Sequence, residues 1–150
     1  MSPPPFDVAW AHRWFAIEFN NRAWDLFELE GRSAEETQEM IHAAHAAAIH
    51  WQAVGTPLNH QRAENLLTTA YCAAGKPEPA LRHAQRCLEL SDENAAEESP
   101  FDRATALGCA AQAHKLAGDI TEAERLTALA RAAADKLEAD DRPVFDKLYA

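Results

Sequence analysis

Three of the five glycines in this chain, Gly31, Gly75 and Gly118, stand 44 and 43 residues apart. Glycine ends helices because it takes the left-handed turn without a side-chain clash. A near-constant spacing of such ends divides a chain into similar units that stack on one another, each unable to bury its apolar face alone. The filling between them is helical in character. Much of the hydrophobic content is alanine, the best helix former, and no stretch alternates β-branched residues as a strand would. The expected fold class is all-α.

The helix boundaries are legible one by one. Pro3 to Pro5 form a stiff lead-in, and Asp7 is placed to cap a long aromatic-rich helix that ends near Gly31. Ser33 with Glu36 has capping-box spacing and opens a helix to about Val54 and Gly55. Thr56-Pro57 starts the next, which ends at Gly75; Pro77 starts a fourth, reaching about Leu90. The acidic stretch SDENAAEES, residues 91–99, reads as the longest loop. Ser99-Pro100, with Asp102 at the capping-box position, begins a fifth helix that stops at Gly118. Asp119 and Glu122 begin a sixth, and Asp141, Arg142 and Pro143 separate it from a short terminal helix, VFDKLYA. Six main helices and a short seventh are predicted.

Aligned on the glycines, AYCAAGKPEPALRHAQRCLEL lies against AHKLAGDITEAERLTALARAA and, more loosely, LFELEGRSAEETQEMIHAAHA. This resembles the tetratricopeptide repeat, an antiparallel helix pair with a small residue where the helices cross. Tyr71 stands at the aromatic position before the turn, Leu67 at the large apolar position one turn earlier, and Ala80 and Ala123 at the crossing. The period is longer than the usual 34, Thr68 and Ala111 stand where glycine or another small residue is common, and Glu36 replaces the crossing alanine of the first unit. The resemblance implies a stacked α-α superhelix: units at about 6–55, 56–92 and 99–139, a capping helix at 142–149, and a proline-rich lead-in at 1–5. A plain six-helix bundle is the competing architecture.

In that family the first helix of each pair lines a concave groove. The resemblance places Glu18, Asn21, Asp25 and Glu28 on the groove from the first unit, and Arg62, Asn65, Thr69 and Cys72 from the second. The third offers Thr105, Gly108, Gln112 and Lys115. It implies a protein-interaction module that holds a peptide or protein segment, the acidic first unit meeting a basic side chain. Only Arg62, Asn65 and Lys115 resemble the cationic and amide groups with which some members clamp a terminal carboxylate, so that mode is not expected.

The first helix carries apolar residues on more than one side. Trp10, Trp14, Ile17 and Trp24 gather on one flank, with Phe15, Phe19 and Leu26 almost opposite. A terminal helix has no preceding unit to cover it, so self-association, as a homodimer through Phe15, Phe19 and Leu26, is expected, with burial inside the chain as the competing account.

Signals for chemistry are weak. Glu39 and His42 form ExxH, with His50 two turns on, but no second ExxH accompanies them as a di-metal bundle needs. A helical bundle binding a metal or small molecule there is the alternative function; the leading expectation includes neither metal nor cofactor. Phosphate-loop, nucleophile-elbow and zinc-protease motifs are missing, and Cys72 and His83 fall on opposite arms of the Gly75 turn. An enzyme is not expected. A net charge of −10 disfavours nucleic acid and anionic membrane surfaces. Three scattered cysteines suit reduced thiols, and neither a leader nor a span-length apolar run is visible. These features point to the cytoplasm.

Overall fold

The computed structural model describes residues 2–150, and within them the chain is all-helical. Seven α-helices follow in order: α1 Val8–Glu28, α2 Ala34–Val54, α3 Pro57–Ala73, α4 Pro77–Glu93, α5 Pro100–Ala117, α6 Ile120–Ala134 and α7 Asp141–Tyr149. Most packing lies within the sequential pairs α1–α2, α3–α4 and α5–α6, and the pairs then stack through α2–α3 and α4–α5. The first helices also touch one another, α3 meeting both α1 and α5. This is a stack of helix hairpins rather than a bundle around one axis.

Local chemistry fixes the ends. Asp7 accepts from the Trp10 N–H at 3.0 Å. Ser33 and Glu36 exchange backbone and side-chain hydrogen bonds in a full capping box. The same device recurs at Thr56–Asn59 and Ser99–Asp102, each followed by proline in the first turn. Gly31, Gly75 and Gly118 all have positive φ, at 67°, 67° and 83°, and no other residue does among those described. The glycine period is therefore a period of left-handed turns joining the two helices of each pair.

The crossings follow the small residues. Ala80 is fully buried and Ala123 nearly so, while Leu67 and the ring of Tyr71 pack into the core. In the first pair Glu36 serves its capping box at the start of α2, and the closely packed small residues come later, at Ala43, Ala44 and Ala47. Two main apolar clusters result. One joins α1, α2 and α3 through Leu26, Met40, Ile41, Leu66 and Leu67. The other joins α4, α5, α6 and α7 through Ala80, Ala84, Leu107, Leu126, Ala130 and Phe145.

Two boundaries differ from the sequence reading. The helix expected to stop near Leu90 continues to Glu93, because Ser91 and Asn94 are drawn inward. Asn94 Nδ2 donates to Gln61 Oε1 and the Pro57 carbonyl, both at 3.1 Å, and Ser91 Oγ donates to Glu98 at 2.7 Å. Gln61 donates to the same carboxylate at 2.9 Å. The acidic segment is thus a pinned connection. The sixth helix ends at Ala134, ahead of the expected 139, and turns through residues 135–140 into α7.

Candidate partner-binding groove

The first helices of the three pairs face a concave cavity of about 830 Å³, and α7 folds back across it as a fourth wall. Asn20, Trp24 and Glu28 line it from α1, and Gln61, Arg62 and Asn65 from α3. Phe101, Asp102 and Thr105 line it from α5, and Pro143, Val144, Lys147, Leu148 and Tyr149 from α7. Trp24, Phe101, Val144 and Leu148 give it apolar walls. The polar groups converge at a few points, as in sites that orient a bound segment.

Apart from Asp141, its charges are already engaged. The Arg62 guanidinium makes two bonds to the Asp102 carboxylate, at 2.8 and 2.9 Å, while Asp102 keeps its capping contacts with Ser99. Burial pushes the Asp102 pKa up, but the bonds from Arg62 and Ser99 outweigh it and hold the carboxyl below its ordinary range. Asn65 donates to the Thr105 carbonyl at 3.1 Å, tying α3 to α5. Lys147 Nζ reaches Glu28 at 2.9 Å, closing the cavity between the last helix and the first.

Tyr149 anchors α7. Its ring lies over Gly108, where an added Cβ would meet ring carbons at 2.7–3.0 Å. A side chain on α5 at that point would displace the terminal helix. The Tyr149 hydroxyl is buried without a hydrogen-bond partner, facing Asn65 and Thr69, and burial raises its pKa. Gln112 donates to the Leu148 carbonyl at 2.7 Å, satisfying part of the helix end.

The cavity gathers only part of the residue set expected from the sequence. Glu28, Arg62, Asn65 and Thr105 line it. Thr69 is buried, its hydroxyl donating back to the Asn65 carbonyl, and Gly108 is covered by Tyr149. Gln112 and Lys115 line a separate, smaller cavity of about 230 Å³ between α5, α6 and α7. Glu18, Asn21 and Asp25 are exposed on α1 and do not line the main cavity. Trp24, Phe101 and the α7 residues are the contributors sequence reasoning missed. Trp24 had a signal, since it shares a flank with Ile17 and Trp10. The fold-back of α7 is signalled by the uncovered apolar flank of the first helix and by the mid-helix Gly108, which leaves room for a ring.

The apolar faces of α1 also exchange roles. Leu26 is 2% exposed, packed against α2 and α3, and does not reach the surface. Phe15 and Phe19 lean toward α2, their rings stacking on His50 at centroid distances of 5.4 and 6.1 Å. Trp10, Trp14 and Ile17 face outward at 64%, 45% and 43% exposure, and Phe15 keeps 40%. Of the three residues expected on a self-association face, Leu26 is therefore inside the chain, Phe19 is half-buried against His50, and Phe15 remains exposed.

The Glu39, His42 and His50 trio does not converge. Glu39 binds Arg22 at 2.7 Å, His42 pairs with Gln38 at 3.3 Å, and His50 Nδ1 pairs with His12 Nδ1 at 2.8 Å. Among the described residues no group of three or more His, Cys, Asp or Glu side chains could hold a metal ion. Cys72 and His83 do not form a nucleophile–base pair: His83 bonds Glu64 at 2.6 Å and stacks on Tyr71, and burial pushes the Cys72 thiol up to about 12. No helix among the described residues is long and apolar enough to cross a membrane.

No protein-family model matches the chain, and no curated protein matches it in sequence. Among solved structures it is similar to the TPR domain of Arabidopsis FLU, with a TM-score of 0.68 over 84% of this chain and 99% of that one. Sequence identity is 15%, so the likeness is one of fold. The chain has a TPR-like fold, in agreement with the helix-pair stacking and the left-handed glycine turns.

Proposed function

We propose that this protein is an interaction scaffold that holds a peptide or protein segment in the groove between α1, α3, α5 and α7. The observation that carries this reading is the cavity itself: about 830 Å³, apolar-walled, and framed by the same helices that form the concave face of a TPR-like stack. Two of the carboxylates within it, Asp102 and Glu28, are each matched to a cation, which favours binding over catalysis. The helices are preformed, so capture spares the ordering cost a disordered binder would meet. Residence in the cytoplasm, with a soluble protein as partner, belongs to the same proposal.

A peptide library displayed on phage and panned against the full chain tests it. Val144 is exposed and lines the cavity, so Val144→Asp alters the groove without touching the core. Selected peptides should bind the native chain at micromolar Kd and lose at least tenfold on Val144→Asp. Peptides indifferent to that substitution, or a library that yields none, would remove the groove reading.

A further inference from the structure

The exposed flank of α1 has a regular spacing that the groove does not use up. Trp10, Trp14, Ile17, Asn21, Trp24 and Glu28 follow one another at intervals of 4, 3, 4, 3 and 4 residues. That alternation is the seam along which one helix packs a second helix, knobs into holes. All six lie on one α-helix, Val8–Glu28, and the seam runs about 27 Å at the helical rise of ~1.5 Å per residue. Its N-terminal half is open, with Trp10, Trp14 and Ile17 exposed, and its C-terminal half, Trp24 and Glu28, enters the cavity. The open half leaves on the order of 350 Å² of apolar side chain in water, the size of patch that marks an interaction site.

We infer that α1 docks an amphipathic helix of a partner protein along this seam, and that the partner helix is basic along the flank that faces Glu18 and Asp25. This rests on the groove reading, since the seam ends in the cavity between Trp24, Phe101 and Val144. Two features choose the occupant. Asn21 sits within the seam, where a single polar residue sets register between paired helices. Glu18 and Asp25, both exposed, form one border of the seam one position beyond Ile17 and Trp24, with Arg13 on the opposite border, so lysine or arginine along the border of the incoming helix that faces Glu18 and Asp25 meets opposite charge. A second copy of this chain fits worse. Antiparallel pairing sets the Glu18–Asp25 flank against itself. Each copy also carries a net charge of −10.

The test uses two synthetic 18-residue helices: leucine at seam spacing, alanine elsewhere, and lysine at the flanks of one, glutamate at the flanks of the other. Each is titrated into the full chain by calorimetry, with light scattering on the same samples. The lysine peptide is expected to bind at micromolar Kd, and the glutamate peptide at least tenfold more weakly. Ile17→Glu should weaken the lysine peptide at least tenfold with an unchanged circular dichroism spectrum. Glu18→Lys with Asp25→Lys should reverse the preference between the peptides. Equal binding of the two peptides, or no binding of either, overturns the inference. So does a constitutive dimer that Ile17→Glu dissociates, which would make the occupant a second copy. Loss on Val144→Asp with none on Ile17→Glu would keep the groove and remove the seam. Loss on Ile17→Glu alone would keep the seam and remove the groove.

Discussion

At the scale of single residues, Asp102 does two jobs that can be separated. It closes the capping box of α5 and it receives Arg62 from α3, while only 5% exposed. In α3 the equivalent box is closed by Asn59, so asparagine is a sufficient cap. Asp102→Asn should therefore keep the cap, lose the ion pair and cost about 1–2 kcal/mol. Asp102→Ala loses both and should cost about 3 kcal/mol, read from urea midpoints at constant slope. The folded-state pKa of Asp102 lies below its ordinary value. Its contribution is therefore present above the ordinary carboxylate range and is lost as pH falls through the folded value. Tyr149 gives the opposite case. Its hydroxyl has no partner, so Tyr149→Phe should be neutral or slightly stabilising. Gly108→Ala, which drives a methyl into the same ring, should cost about 1–3 kcal/mol by thermal or chemical denaturation. An equal cost for both substitutions would show that the hydroxyl, not the ring, holds α7.

At the scale of elements, α2 carries the pH sensitivity. His50 is flanked by Phe15 and Phe19 and faces His12, and His45 faces the Tyr71 hydroxyl, His83, Glu64 and His42. Burial, then the neighbouring histidine, lowers the pKa of each. A histidine lowered on folding leaves the unfolded chain binding more protons. Stability is therefore full above the unfolded value, about 6.5, and falls as pH drops toward the folded values. Tm should fall by a few degrees between pH 7.5 and 5.5, above the carboxylate range. The His45→Gln, His50→Gln double variant should flatten that slope, and an unchanged slope would assign it to other groups. Elements are also where the sequence was most informative. Caps and glycines are local devices, so Asp7, Ser33, Thr56, Ser99 and the three left-handed glycines could be read without knowing what packs where. The 91–99 connection was misread because its polarity is genuine, but its partners, Gln61 and Pro57, lie more than thirty residues back. Groove positions slipped for a related reason. Transfer by register assigned Asn21 and Asp25, whereas the residues of α1 that line the cavity are one position earlier, Asn20 and Trp24.

At the scale of the whole molecule, α7 joins the two ends of the stack. Lys147 meets Glu28, 119 residues away in sequence, and Phe145 is buried in the cluster of α5 and α6. Without α7 the three first helices would present a shallow concave face; with it they enclose a cavity. The exposed Lys147–Glu28 pair gives little stability of its own, so the wall is held by Phe145 and by Tyr149 over Gly108. Phe145→Ala should cost about 3–4 kcal/mol and loosen the wall. A peptide selected on the native groove should then bind at least tenfold more weakly. Leu66→Ala is the control: Leu66 is buried in the α1–α2–α3 cluster, so it should cost a similar stability while leaving α7 in place and peptide binding within about threefold, below ~1 kcal/mol. Equal loss of binding in the two variants would tie capture to overall stability. Loss in Phe145→Ala alone would make the terminal helix a working wall of the groove.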